Sequence, residues 1–95
     1  MNELIIPPEA QDDPQSFEIL RVWSANEAQC VTINSDLNGN SYDFGYMLAQ
    51  LAYHGANIYS LKENLSIKEA LKRILEGFES EIDNPTGDVS GEIMK

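Results

Sequence analysis

Cysteine and histidine are almost absent from this chain: Cys30 and His54 are the sole examples of each in 95 residues. A single cysteine rules out an intramolecular disulfide and suits a reducing compartment. Two soft ligands fall short of the four, dominated by Cys and His, that a structural zinc site uses. Basic residues are scarce as well, 6 Lys and Arg against 16 Asp and Glu, for a net charge of −10. Such a field repels phosphate backbones and anionic membrane surfaces, so neither nucleic acid nor membrane is an expected partner. The start, Met1 to Pro8, holds no basic residue and three consecutive aliphatics before two prolines. No secretory signal is read there. The longest stretch free of Asp, Glu, Lys and Arg, Phe44 to Leu61, is interrupted by Gln50, His54, Gly55, Asn57 and Ser60. It is too polar and slightly too short to span a bilayer. Cofactor and catalytic signatures are missing too: no Gly-x-Gly-x-x-Gly, no Gly-Lys-Ser/Thr, no Cys-x-x-Cys, no His-Glu-x-x-His and no Gly-x-Ser-x-Gly.

What remains is an ordinary globular composition, 42% hydrophobic and 23% charged, at a length that suits one domain. Residues 1–16 hold Pro7, Pro8, Pro14 and four acidic residues and read as an extended N-terminal arm. Residues 17–82 read as the folded core. Residues 83–95, with turn chemistry at Asn84-Pro85 and Gly87, read as a C-terminal arm.

The core opens on a hairpin. Phe17 to Ala25 and Ala28 to Ser35 are rich in β-branched and aromatic residues, and Asn26-Glu27 between them suits a two-residue turn. With Ala25 opposite Ala28, Val22 faces Val31 and Leu20 faces Ile33 on an aliphatic side. Ile19/Asn34, Arg21/Thr32 and Trp23/Cys30 share a mixed side. After the turn-rich segment Asp36 to Asn40, Ser41 or Asp43 can cap a helix running to about Leu61. Its apolar residues fall in two stripes: Phe44, Leu48, Leu51, Ala52, Gly55, Tyr59, and Tyr42, Tyr46, Ala49, Tyr53, Ala56. A helix apolar over so much of its circumference needs cover on more than one side. Ser66 and Glu69 then form a capping box, with Leu65 placed to staple on Ala70. Ile67, Ala70, Leu71, Ile74, Leu75, Phe78 and Ile82 follow at helical spacing until Asn84-Pro85.

The expected fold is α+β, an antiparallel hairpin packed against two helices in ββαα order. Two strands alone are marginal and leave open edges. Leu4-Ile5-Ile6 or Glu92-Ile93-Met94 is therefore expected to add a strand, or a second subunit to pair along an edge.

Three groups of residues are candidates for function. Ile19, Arg21, Trp23 and Thr32 on the mixed hairpin side, together with Tyr42, Tyr46 and Tyr53, suit a protein interface. Trp23, Cys30, Tyr53 and His54 suit a small pocket, although a lone His more often packs than reacts and Cys30 reads as buried. Lys62, Lys68, Lys72 and Arg73 gather around the start of the second helix, while Glu76, Glu79 and Glu81 lie near its end. That layout opposes the helix dipole, partly offset by a Glu69–Arg73 pair, and offers a patch for an anion.

The blocks Ile6-Pro7-Pro8-Glu9-Ala10, Asp13-Pro14 and Ser16-Phe17-Glu18-Ile19-Leu20-Arg21-Val22-Trp23 resemble the opening of an uncharacterised bacterial family, domain of unknown function 5076. Met47-Leu48-Ala49-Gln50-Leu51-Ala52 with His54 and Asn57, and the closing Asn84-Pro85-Thr86, are similar too. Phe44 precedes Gly45 where relatives commonly place a Trp. The resemblance implies a bacterial cytoplasmic protein and brings no assigned activity or functional residue. The expected function is a small non-catalytic interaction or regulatory module, homodimeric and possessing no cofactor or metal, which binds itself and another protein. The alternative is a small-ligand binder or minor enzyme with its pocket near Trp23, Cys30, Tyr53 and His54.

Overall fold

The computed structural model describes residues 3–86. They contain a short helix α1 (Pro8–Asp12), strands β1 (Leu20–Ala25) and β2 (Ala28–Ile33), and helices α2 (Ser41–Glu63) and α3 (Ile67–Asp83). The chain divides into two compact units, one up to Leu37 and one from Asn38. The ββαα order of an α+β protein is as the sequence implies.

In the first unit, the arm expected to be extended instead coils into α1. Pro8 occupies the first turn, where its missing N–H is no loss and its fixed φ already suits a helix. Gln11 Nε2 donates back to Ile6 O at 2.8 Å. Past the helix, the Ser16 hydroxyl donates to Ala10 O at 2.6 Å and the Gln15 amide to Asp13 Oδ1 at 2.9 Å. Local polar side chains thus close the turn that the prolines begin.

The hairpin has the register that alternation predicts, from Leu20 opposite Ile33 to Ala25 opposite Ala28. Its turn takes positive φ at both Asn26 (53°) and Glu27 (62°), as a two-residue type I′ connection requires. Asn34 closes the open end: its amide donates to Ile19 O at 2.8 Å and its side chain to Glu18 O at 3.1 Å. Among the described residues the sheet has these two strands, so Leu4-Ile5-Ile6 does not add a third. Glu92-Ile93-Met94 lies outside the described residues.

In the second unit, α2 is capped by Asn40, not by Ser41 or Asp43. Asn40 Oδ1 accepts from the Asp43 amide at 3.0 Å while Asp43 Oδ2 accepts from the Asn40 amide at 3.0 Å. Asp43 completes the box from inside the helix. Gly39 precedes it at φ 90°, and a Cβ there would lie 2.6 Å from Asp43 Oδ2. At the far end Asn64 adopts the left-handed conformation, and its amide and that of Leu65 both bond to Ser60 O. The connection of three residues, Asn64 to Ser66, folds α3 back along α2 as an antiparallel pair. The Ser66–Glu69 capping box starts α3 as the sequence indicates. Glu69 spends its carboxylate there, and no Glu69–Arg73 ion pair occurs among the described residues. Beyond α3, the Glu81 carboxylate accepts from the Thr86 amide and hydroxyl at 3.0 and 3.1 Å, fastening the chain that follows Asn84-Pro85.

The two helices meet through their smallest side chains. Ala56 and Ala70 are the fully buried residues among those described, and Gly55 lies where an added Cβ would be 3.5 Å from Ile74 Cδ1. This corrects the division of α2 into stripes. Ala56, expected beside the tyrosines, faces α3, and Met47 and Ser60 join the half-buried side. Leu51 and Tyr59 are left exposed, because bulky side chains move to the flanks where backbones approach closely.

Two substitutions test these points. Glu27→Gly removes a side chain from left-handed backbone, where an L-residue costs about 1 kcal/mol or more, and should slow amide exchange across the hairpin. Ala56→Leu should destabilise the helix pair by ~1–3 kcal/mol through overpacking, read from urea unfolding followed by helical circular dichroism. Unchanged hairpin exchange or an unchanged urea midpoint would contradict these assignments.

Candidate functional site

Three surfaces carry the candidate residues. On the hairpin's mixed side, the register pairs Arg21 with Thr32 and Trp23 with Cys30. Arg21 is already engaged: its Nε sits 2.9 Å from both carboxylate oxygens of Glu18, and its Nη1 sits 3.1 Å from Glu3 Oε2. Hydrogen bonding and charge from Glu18, then from Glu3, raise its pKa above the ordinary guanidinium value. Arg21 is thus occupied by carboxylates of its own unit instead of standing ready for an anion. A shallow groove runs at the open end of the ribbon between Ile19, Leu20, Arg21, Thr32, Ile33 and Asn34. Trp23 is half-buried and lies outside it.

Of the pocket residues, Trp23 and Cys30 are brought together as cross-strand partners, while Tyr53 and His54 are neighbours on α2 of the other unit. Cys30 is exposed, not packed inside as expected, because alternation sends it to the open side of a two-stranded ribbon. His54 is exposed as well, since α3 meets α2 on the side of Ala52, Gly55 and Ala56. Asp43, imagined as its orienting acid, is held in the Asn40 cap a full three turns away along α2. Among the described residues neither side chain has a hydrogen-bonded base or acid of the kind that catalysis by a lone thiol or imidazole needs.

The four cations do not converge on one point. Lys62 closes α2, its Nζ 5.2 Å from the centre of the Tyr59 ring. Lys68 and Lys72 follow each other along one side of α3, and Arg73 is turned about 100° from Lys72. Among the described residues no group of three or more His, Cys, Asp and Glu could hold a metal ion. No helix among the described residues is long and apolar enough to cross a membrane.

The three tyrosines belong to a wider apolar surface that neither helix reveals alone. Tyr42, Tyr46 and Tyr53 of α2 are 80, 64 and 58% exposed. On α3, Ile67, Leu75, Phe78 and Ile82 are 50, 46, 53 and 65% exposed. Ala56 and Ala70 fix the sides on which the helices face each other. The tyrosines lie about 40–80° round α2 from Ala56, and the α3 residues about 60–140° round from Ala70. In an antiparallel pair of right-handed helices these two rotations lead to the same side. The tyrosines and the aliphatic and Phe side chains of α3 therefore lie on the same, apolar side of the helix pair. A signal existed in the sequence: the apolar arc of α3 is wider than one neighbouring helix can cover.

A family model described as domain of unknown function (DUF5076) matches residues 3–86. The chain belongs to this family. The match runs from the residues before α1 to those after α3, so both units are part of the family's shared domain. No curated protein matches the chain. Among solved structures, one described as a "putative pyruvate dehydrogenase" from the photosynthetic bacterium Rhodopseudomonas palustrus CGA009 is similar, at 25% identity and a TM-score of 0.77. The likeness covers 93% of this chain and 90% of that one.

The exposure of Cys30 predicts that the native protein reacts with one equivalent of a disulfide reagent without denaturant. A thiol that reacts only after unfolding would show the ribbon's open side to be covered.

Proposed function

We propose that this member of the family is a small non-catalytic interaction module that works as a homodimer through the apolar face of α2 and α3. The observation that supports the reading is the mismatch between what is buried and what is bare. Among the described residues no large side chain is fully buried, whereas seven large apolar residues lie exposed on one side of a single helix pair. Monomeric soluble proteins rarely leave so wide an apolar patch uncovered. Each residue leaves on the order of 100 Å² bare, so together they approach the roughly 800 Å² that each partner buries in a standard interface.

The activity named for the similar solved structure gains no support from these residues. Among the described residues His54 and Cys30 are each exposed without a side-chain hydrogen bond, and they lend no support to a reaction built on an acid–base pair. The single cysteine and the bacterial source of the similar structure support a bacterial, cytoplasmic setting.

Sedimentation equilibrium tests the proposal. The wild-type chain should sediment at twice its 10.6 kDa at micromolar concentration. Tyr46→Glu and Phe78→Glu should each sediment at the single-chain mass with helical content retained. A wild-type chain that stays monomeric at its highest soluble concentration would remove self-association from the reading.

A further inference from the structure

The charges along the edge of that face say how a second copy would lie on it. Lys68, Lys72, Glu76, Glu79 and Asp83 recur at intervals of four, four, three and four on α3, a single stripe at helical spacing. Lys68, Glu79, Lys72 and Asp83 lie about 20–80° beyond Leu75, along the outer margin of the apolar face, and Glu76 is turned furthest from it. The stripe is polarised, basic at its start and acidic at its end. All five residues are exposed, and the described ion pairs involve Arg21 alone.

Within one chain this order is mostly unfavourable. Lys68–Lys72 and Glu79–Asp83 are like-charge pairs at i,i+4, and Glu76–Glu79 is one at i,i+3. Lys72–Glu76 has the less favourable orientation of an opposite pair. Cations at the start and anions at the end also oppose the helix dipole, and no basic residue sits in the last turn. A stripe so arranged gains when it meets its own reverse. It loses when it meets itself in parallel.

Resting on the homodimer reading above, we infer that two copies associate about a two-fold axis that crosses α3 near Leu75, so that α3 runs antiparallel to the α3 of the second copy. The midpoint of Lys68 and Asp83 coincides with that of Lys72 and Glu79, between residues 75 and 76. An axis there sets Lys68 against Asp83 of the second copy and Lys72 against Glu79. Leu75 then lies beside its own counterpart. The operation also lays the tyrosine side of α2 on the same side of α2 in the second copy. The apolar face supplies the area and the charged margin supplies direction and register, the division of labour seen at the edges of coiled coils.

Cross-linking separates this arrangement from the others. In a Cys30→Ser background, Leu75→Cys should form a disulfide-linked dimer rapidly on oxidation. Ile82→Cys should not, because the axis places its two copies about 20 Å apart along α3. Equal cross-linking at both positions would mean a parallel pairing and overturn the inference. Charge reversal gives an independent reading. Lys68→Glu with Lys72→Glu should weaken the dimer at least tenfold at low salt, and so should Glu79→Lys with Asp83→Lys. An equimolar mixture of the two variants should recover wild-type affinity as a heterodimer, which also shows that both variants fold. A dimer indifferent to these changes would sink the inference and leave the homodimer standing. A monomeric wild-type chain would remove both.

Discussion

The approach of α2 and α3 through Ala56 and Ala70 governs what the helical unit can offer. Small residues at a helix crossing bring the backbones close, and that closeness leaves no large side chain fully buried among the described residues. Tyrosine, leucine, isoleucine and phenylalanine are pushed to the flanks. Because both flanking groups turn to the same side, the pair acquires a broad apolar face that it cannot itself cover. A larger residue at position 56 or 70 would separate the helices and let those side chains fold inward. The exposed face is therefore a consequence of the tight seam, not an accident beside it.

Much of the local structure can be read from the residues, because local chemistry decides it. The hairpin's alternation admits one register, and a slip of one residue would mix its aliphatic and polar sides. The α3 start is written in Ser66 and Glu69, whose reciprocal bonds need four consecutive residues and nothing else. The errors come from residues that serve equally well in neighbouring roles. Asp43 can cap a helix or sit at its third position opposite a capping Asn40, and the choice depends on the backbone turn at Gly39. Pro7 and Pro8 suit an extended arm, but Pro8 also suits a first helical turn, and the Gln11 side chain tips the balance.

The functional surface was less legible for a different reason. Exposure is a property of what packs on an element, and periodicity reports just the width of its apolar arc. Cys30 and His54 read as packed residues by their neighbours in sequence, yet both face outward. The tyrosines of α2 were visible as a stripe. Their union with Leu75, Phe78 and Ile82 of α3 was not, since it depends on the hand of the helices and on the loop at Asn64 that makes them antiparallel.

The turn at Gly39 ties two positions into one. Its positive φ suits a residue without a side chain, and its missing Cβ leaves the space that the Asp43 carboxylate occupies. Asp43 in turn accepts from the Asn40 amide and holds the first turn of α2. A substitution at 39 therefore asks for two concessions at once, a strained backbone and a displaced acid. Relief at either position alone leaves the other fault in place. Positions 39 and 43 form a lock with two tumblers, set at the point where the first unit ends and the second begins. Any redesign that lengthens or stiffens the passage between the units has to carry both across together, or it surrenders the start of the helix on which the apolar face is built.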